Sequence, residues 1–191
     1  MSESIIVGEK IKSLRESKNI AREELAERSG LSTEQIISIE EDVNLPSLAP
    51  LIKIARVLGV RLGTFLDDNA DLGPVITRKT DKTESISFSN NAVQSRKHMD
   101  YFALSKSKSG RHMEPFIIDI APIAELNFTT SSHEGEEFIY VLEGTIEINY
   151  GKDIYTLSAG DSIYYDSIVA HHVHAHQGTA AKILAVVYTP L

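Results

Sequence analysis

The sequence predicts a two-domain protein of the α + β class, in which a bundle of five helices precedes a small antiparallel β-barrel. The apolar residues recur with a period near 3.6 in the first third of the chain and with a period of 2 beyond it. An acidic, turn-rich segment, 67–74, separates the two patterns. We therefore place a helical domain at residues 1–68, a linker and first strand region at 69–85, and the barrel at 86–191.

The first three helices are indicated by periodicity and by residues that begin and end helices. One helical face carries apolar residues at i, i+4 and i+7, namely Val7, Ile11 and Leu14. A second helix, around Leu25, ends at Gly30, because glycine readily takes the left-handed conformation that follows a helix. Ser32 then begins a third helix, and Gln35 completes a capping box with it.

Two further helices complete the predicted bundle. The third helix buries Ile36 and Ile39 and ends before Pro46, which cannot continue it. The fourth has apolar residues at helical spacing and is followed by Gly59: Leu48, Leu51, Ile54, Ala55 and Leu58. A short fifth helix is predicted from Leu62, Phe65 and Leu66.

Alternating apolar and polar residues predict the strands of the second domain. The candidates are 86–88, 101–104, 116–120, 137–142, 145–150, 163–165 and 182–188, with 170–176 extended as well. Turn residues such as Gly144, Gly151 and Gly160 separate them. Many short antiparallel strands at this spacing favour a small barrel or jelly roll.

Composition limits the classes of function. The chain has 191 residues, 42% of them hydrophobic, with no apolar run long enough for a membrane span and no signal-peptide pattern at its start. Without cysteine it has no disulfide and no thiolate site. We expect a cytoplasmic protein. Its net charge is −8, and both the helical and the strand-rich parts are negative. The composition therefore shows no overall positive charge of the kind that indicates nucleic-acid binding.

The segment Ser29-Gly30-Leu31-Ser32 is a tight turn between two helices, and the second of these helices can enter the major groove of DNA. With Ala26, Ile36, Ile39-Glu40 and Pro46-Ser-Leu48, it resembles the XRE/Cro-like family of helix-turn-helix domains, which implies a lambda-repressor-like bundle. The candidate DNA contacts are Arg22, Ser32, Thr33, Gln35 and Ser38. Acidic Glu34 repels phosphate, so a structural or dimerising bundle remains the alternative.

The segment His133-Glu-Gly-Glu-Glu137 and the distant His171 carry the metal-ligating residue types. On a strand, residues i and i+4 share a face, so His133 and Glu137 can both point inward. With Gly144 and Gly160-Asp161, the pattern resembles the cupin superfamily, which implies a jelly-roll barrel. Ser131 stands where that family has a further histidine.

The remaining three residues form a two-histidine, one-carboxylate set, suited to Fe or another divalent ion such as Zn, Mn or Ni. A metal-free pocket that hydrogen-bonds an effector is the alternative to this metal site. The walls of an effector pocket would come from Ile139, Val141, Tyr101, Ile163 and Tyr165. We expect His172, His174 and His176 to face outward as a solvated or subunit-contact stripe.

The order of the two domains resembles bacterial transcription regulators in which a cupin barrel senses a small molecule or metal and the helical domain binds operator DNA as a homodimer. The alternative is a mononuclear non-haem Fe(II) enzyme similar to the hydroxypropylphosphonate epoxidases. Arg96 matches a phosphonate-binding arginine of those enzymes. Asn19 and Leu104, however, stand at the positions of their substrate lysine and their iron-proximal tyrosine. These two departures favour the regulator.

Overall fold

A computed structural model describes most of the chain. The described residues are 7–41, 47–66, 74–81, 86–88, 99–106, 108, 111–122, 130–176 and 178–189. The acidic segment 67–74 lies outside them except for Pro74, as do Pro46, Arg96 and residues 82–85.

The five predicted helices are present and form the N-terminal domain. They are α1 (Val7–Ser17), α2 (Arg22–Ser29), α3 (Thr33–Glu40), α4 (Leu48–Leu58) and α5 (Gly63–Leu66). Gly30 and Gly59 take the left-handed conformation after α2 and α4, as predicted. Asn19 takes it between α1 and α2, with φ of 55°, a conformation that asparagine tolerates better than most residues. The Asn at position 19 therefore suits the turn in which it lies.

An ion-pair network beneath α3 holds the helical domain together. Glu40, whose side chain is fully buried, accepts hydrogen bonds from both Arg15 and Arg22, the latter at 2.7 Å. Burial alone would raise the pKa of Glu40, but the hydrogen bonds from the two guanidinium groups outweigh it and hold the pKa below its usual value. The network fixes α3 against α1 and α2.

The described part of the second domain contains nine antiparallel strands: β1 (Ile86–Phe88), β2 (Met99–Ala103), β3 (Met113–Ile120), β4 (Glu136–Glu143), β5 (Thr145–Tyr150), β6 (Asp153–Ser158), β7 (Ser162–Asp166), β8 (His171–Ala175) and β9 (Ala181–Tyr188). A six-stranded sheet has the order β1-β2-β3-β9-β4-β7, and a three-stranded sheet the order β6-β5-β8. Within the described residues these are two sheets and not one closed barrel.

Strand β6 and a short 3-10 helix at Lys79–Asp81 were not among the predicted elements. Only Leu157 of β6 is buried, so the strand has no run of alternating burial from which it can be recognised. Its register comes from pairing with β5, where Ile146 lies opposite Leu157. Edge strands of this kind depend on their neighbour more than on their own sequence.

Residues from both sheets form the interior of the second domain. Phe116, Val141, Ile146 and Ile148 are fully buried there, and they come from strands of both sheets. Burial in β3 and β9 alternates strictly along the strand, as the period-2 pattern predicts. The site described below lies among the strands that line this interior.

Among the described residues, contacts between the two domains include an ion pair at Arg56 and a close approach at Gly63. Arg56 near the end of α4 forms an ion pair with Glu134, just before β4, and both side chains are exposed. Gly63 of α5 lies against Arg111 and Glu114, whose side chains form a buried ion pair at 2.8 Å. None of the described helices has the length and apolar character needed to cross a membrane.

Candidate functional site

His133, Glu137 and His171 are brought together by the pairing of backbone around the start of β4. His171 opens β8 and exchanges two backbone hydrogen bonds of 2.9 Å with Ser131. Two residues along the chain, the His133 amide donates to the Ser167 carbonyl at 3.0 Å. These bonds hold the segment before β4 between the end of β7 and the start of β8.

The three side chains converge as the sequence predicts. Nε2 of His133 lies 2.8 Å from Oε1 of Glu137, and Nε2 of His171 lies 3.4 Å from the same oxygen. The three ligand atoms all lie within 4.8 Å of one another. Both histidines are buried, whereas the Glu137 side chain is 12% exposed. A small cation among the three atoms would therefore find two nitrogens and one oxygen.

Hydrogen bonds at the far side of each ring determine how the histidines face this point. Nδ1 of His133 lies 2.9 Å from the Glu134 carbonyl oxygen, and Nδ1 of His171 lies 2.8 Å from the Val169 carbonyl oxygen. A carbonyl only accepts, so each Nδ1 carries a proton and a neutral ring presents a lone pair at Nε2.

Those lone pairs point at a carboxylate oxygen, which also only accepts. Two neutral rings and an ionised Glu137 therefore repel one another unless a positive charge lies between them. A proton on a histidine supplies it, and so does a divalent ion bound by all three groups. The donor set of two imidazoles and one carboxylate, with each ring oriented by a backbone carbonyl, fits a divalent metal.

The electrostatics agree with an ionised carboxylate. Burial alone would raise the pKa of Glu137, but hydrogen bonds from His133 and His171 outweigh it and hold the pKa well below its usual range. Burial alone would lower the pKa of His171, and the hydrogen bond to Glu137 raises it instead. The second oxygen of Glu137 accepts a hydrogen bond of 2.7 Å from the Tyr165 hydroxyl.

The five residues predicted as pocket walls all lie in the interior of the second domain. Ile139, Val141 and Tyr165 are buried, and Tyr101 and Ile163 pack against them. Burial and the charge of Glu137 raise the pKa of both Tyr101 and Tyr165, so both phenols stay protonated. Of the five, Tyr165 and Tyr101 therefore interact with Glu137, and whether the set forms an effector pocket stays a prediction.

Ser167 belongs to the same site and was not singled out from the sequence. Its side chain is fully buried, and its hydroxyl lies 3.4 Å from Oε1 of Glu137. Its amide donates to the Gly135 carbonyl at 2.9 Å, which ties β7 to the turn before β4. A lone serine between strands carries no signal in the sequence, and only the pairing of backbone reveals its position.

The expectation of a solvated histidine stripe on β8 is wrong for His174. This side chain is only 3% exposed, and its Nε2 lies 3.2 Å from Oε2 of Glu147 on the neighbouring strand β5. His176 lies 3.3 Å from the same oxygen, and the ring of His172 stacks on that of His174. Strict alternation along a strand predicts the face of a side chain but not what covers that face.

In the helical domain, Ser32 and Gln35 form the predicted capping box at the start of α3. The Gln35 amide donates to the Ser32 hydroxyl at 3.2 Å, and the Ser32 amide donates to the Gln35 side-chain oxygen at 2.8 Å. Both residues are exposed, whereas Thr33 and Ser38 are half-buried. The exposed start of α3 therefore combines the cap with polar side chains at the positions where a recognition helix meets base edges.

Two charged residues, one packed beside α3 and one on it, bear on its contact with DNA. Arg22 is engaged by Glu40, with about a third of its side chain exposed (29%). The exposed Glu34 accepts hydrogen bonds from its own backbone amide and from Ser32, which lower its pKa. It therefore keeps a negative charge on the surface of α3.

Comparison with known proteins matches each domain to a family model. Residues 11–65 match the helix-turn-helix family model HTH_3, and residues 118–187 match the cupin domain model Cupin_2. The first match begins within α1 and ends within α5, and the second begins within β3 and ends within β9. The predicted domain order, helix-turn-helix and then cupin, is confirmed.

Two characterised relatives cover much of the chain. The HTH-type transcriptional regulator PuuR of Escherichia coli is 23% identical over 190 residues, which is 98% of this chain and 97% of that protein. The (S)-2-hydroxypropylphosphonic acid epoxidase of Streptomyces wedmorensis is 29% identical over 157 residues, which is 73% of each chain.

Solved structures show the same two resemblances. An HTH_3 family transcriptional regulator from Vibrio cholerae superposes with a TM-score of 0.70, covering 97% of this chain and 96% of that one at 22% identity, and so shares the fold. The Fe(II) form of an epoxidase described as HppE superposes with a TM-score of 0.52 at 26% identity, covering 95% of this chain and 97% of that one.

Proposed function

We propose that this chain, a helix-turn-helix protein of the XRE type with a C-terminal cupin domain, controls transcription by coupling DNA binding to the state of its cupin site. It is a DNA-binding transcriptional regulator of the same two-domain kind as PuuR, to which 98% of the chain aligns. Its place of action is the cytoplasm, where operator DNA is found.

The observation that carries this proposal is the start of α3. A tight turn at Gly30 joins α2 to α3, and the capping box leaves Ser32 and Gln35 on the surface at the end of the helix that enters the groove. Thr33 and Ser38 extend the same polar face, and Arg22 lies at the start of α2 for a phosphate contact. An exposed polar helix start that follows a tight turn is the arrangement with which a recognition helix contacts DNA.

The cupin site is the candidate sensor. His133, Glu137 and His171 would hold a divalent ion, with Tyr165 and Ser167 orienting the carboxylate. Such an ion would supply Lewis-acid chemistry and could bind an oxygen or nitrogen of an effector. The apolar residues around it, Ile139 and Val141 among them, favour a small molecule with an apolar part.

We expect a homodimer. A single small helical domain reads only a short half-site, and two domains related by two-fold symmetry read two half-sites about one helical turn apart. An effector that binds one conformation of the cupin domain more tightly than another raises the population of that conformation. The distance between the two α3 helices of the dimer would change with this conformational shift.

DNA selection with matched variants tests the proposal. The purified full chain is mixed with fragmented genomic DNA, and the enriched fragments are titrated by fluorescence anisotropy at 100 mM salt. We expect nanomolar binding that Gln35→Glu weakens by at least tenfold, because glutamate preserves the capping box but places a charge against DNA. Ser13→Glu adds the same charge on an exposed position of α1 and is the control. Failure to enrich any fragment would reject the proposal.

The convergence of His133, Glu137 and His171 also supports a second candidate, a mononuclear Fe(II) enzyme like the epoxidase that is 29% identical to this chain. The two candidate functions differ in which domain must be intact for the protein to work in the cell. In a strain that lacks the gene, a regulator requires the α3 surface, so Gln35→Glu fails to restore the wild-type phenotype. An enzyme requires only the cupin site, so Gln35→Glu restores the phenotype and Glu137→Gln does not.

A further inference from the structure

A cavity lies where the two domains meet, outside the interior of the second domain. It has a volume of about 430 Å³, and both domains contribute to its lining. Its helical wall comes from α4 and the turn after it, and its cupin wall comes from the segment before β4 and from Ile168 and Thr189. A space of this size suits a small organic molecule.

The charge of the cavity is opposite to that of the chain. Its charged lining is Lys53, Arg56 and Arg61 on the helical side against Glu134 on the cupin side. Three cations against one carboxylate leave a local surplus of about two positive charges if each is ionised, in a chain whose net charge is −8. Such a surplus attracts an anion.

The three cationic side chains differ in whether they form ion pairs. Arg56 is exposed and pairs with Glu134. Lys53 and Arg61 are half-buried, and among the described residues neither has an acidic partner within ion-pair distance. Half-burial reduces the screening of their charges by water, so an anion in the cavity is attracted more strongly than at an open surface.

The rest of the lining is mostly apolar, with Ser29, Ser132, His133 and Thr189 as its uncharged polar members. Ile52 and Val60 come from the helical side, and Ile168, which is 65% exposed, stands on the cupin side. An inorganic anion leaves these walls without a partner and fills a small part of the space. A molecule with a carboxylate at one end and a short apolar body at the other satisfies both parts of the lining.

We propose that this interdomain cavity binds an organic acid, whose carboxylate is held by Arg61 and Lys53 and competes with Glu134 for Arg56. The bound acid contacts both domains at once. His133 lines the same cavity, so its occupant lies beside one of the candidate metal ligands. Binding at this place is a direct physical link between the cupin site and the helical domain, and it does not depend on whether the chain binds DNA.

Calorimetric titration of the full chain with hexanoate tests the site, in a buffer without carboxylates or phosphate. Hexanamide is the neutral analogue, and inorganic phosphate tests for a simple oxyanion site. We expect saturable 1:1 binding of hexanoate with a Kd on the order of 1 mM, as so small a ligand allows, and no binding of hexanamide. Equal binding of hexanoate and hexanamide, binding of phosphate alone, or no saturation by 50 mM hexanoate would overturn the proposal.

Variants locate the site. Arg61→Gln, or Lys53→Gln if the former does not fold, should weaken hexanoate binding by about tenfold through loss of a charge-assisted hydrogen bond. Arg28→Gln, on an exposed arginine that pairs with Glu24, should leave hexanoate binding unchanged.

Two further positions test the cupin side of the cavity. Ile168→Asp and Ile168→Asn match in shape, and the aspartate should weaken hexanoate binding more because its charge repels the carboxylate. Glu134→Gln should tighten it by freeing Arg56. Identical affinities across these variants would contradict the assignment.

Discussion

His133 and His171 present their Nε2 atoms to the same carboxylate oxygen of Glu137, at 2.8 and 3.4 Å. Each ring is fixed by a backbone carbonyl at Nδ1, so neither can turn its lone pair away without losing a hydrogen bond. The cupin domain therefore holds two ring nitrogens and one carboxylate oxygen close together in its interior. A proton on a histidine or a bound cation offsets the negative charge of this cluster.

A divalent ion should therefore stabilise the protein through these three residues. At an ion concentration of about 100 times the Kd, binding adds about 2.7 kcal/mol to the free energy of unfolding, which shifts the Tm upward by several degrees. Thermal unfolding of the chelator-treated chain with and without Co²⁺ measures this shift. Glu137→Gln should abolish it, and His176→Gln, outside the cluster, should keep it. A shift of equal size in Glu137→Gln would place the ion elsewhere.

Glu40 should set part of the acid sensitivity of the helical domain. Its pKa is lowered in the folded state from a usual value of 4.5, so its contribution to stability is full above about pH 4.5 and is lost as the pH falls through the folded pKa. Glu40→Gln leaves the buried Arg15 with only the exposed Glu16 as a charged partner and should cost about 3–5 kcal/mol at pH 7.

Denaturant unfolding between pH 3 and pH 7 checks both statements, since the difference between the wild type and Glu40→Gln should shrink toward low pH. Glu16→Gln is the control. Glu16 also contacts Arg15 but is 55% exposed, so its loss should cost less than about 1 kcal/mol. A constant difference across the pH range would show that the Glu40 carboxylate is not the titrating group.

Gly63 should be required for the contact between the domains. A Cβ at this position would lie 2.3 Å from a guanidinium nitrogen of Arg111 and 2.8 Å from a carboxylate oxygen of Glu114. The ion pair that these two residues form is buried and cannot move without exposing charge. Alanine normally stabilises a helix relative to glycine, yet Gly63→Ala should lower the free energy of unfolding by about 1–3 kcal/mol. Urea unfolding measures it, with Thr64→Ala as the control, and a stabilised Gly63→Ala variant would refute the close contact.

Gly135 and Gly160 should respond differently to alanine, although both have a positive φ, 105° and 96°. A Cβ at Gly135 would lie 2.0 Å from the backbone oxygen of Tyr188, whereas a Cβ at Gly160 meets nothing within 4 Å. Gly160→Ala should cost roughly 1–2 kcal/mol through backbone strain alone. Gly135→Ala should cost at least about twice as much, because β9 must move away from the turn before β4. Equal Tm values of the two variants would contradict this packing.

Much of the fold was predictable because it depends on local rules. The capping box of Ser32 and Gln35 and the left-handed Gly30 and Gly59 follow from short-range sequence signals. The meeting of His133 with Glu137 was predicted from the period of a strand, yet His133 precedes β4 and the turn at Gly135 lies between the two residues, so the turn and not the strand period brings them together. The partner of His171 followed only from a resemblance, since nothing local relates two residues that are 34 positions apart in the sequence.

What could not be predicted depends on contacts between distant segments. The burial of His174 depends on what covers the outer face of its sheet, and β6 depends on pairing with β5. The cavity between the domains arises from how α4 meets the segment before β4, and no spacing in the sequence encodes that meeting. The pattern of apolar residues predicts which face of a helix or strand is buried, whereas its neighbours depend on how distant segments pack.

The most direct test of the central claim, that this chain regulates transcription through α3, is a map of its binding sites on chromosomal DNA in living cells. The wild-type chain should occupy a small number of sharp sites upstream of genes, each with two related half-sites. Gln35→Glu should lose those sites, and Ser13→Glu should keep them. An absence of enriched sites for the wild-type chain, or an identical map for Gln35→Glu, would contradict the account.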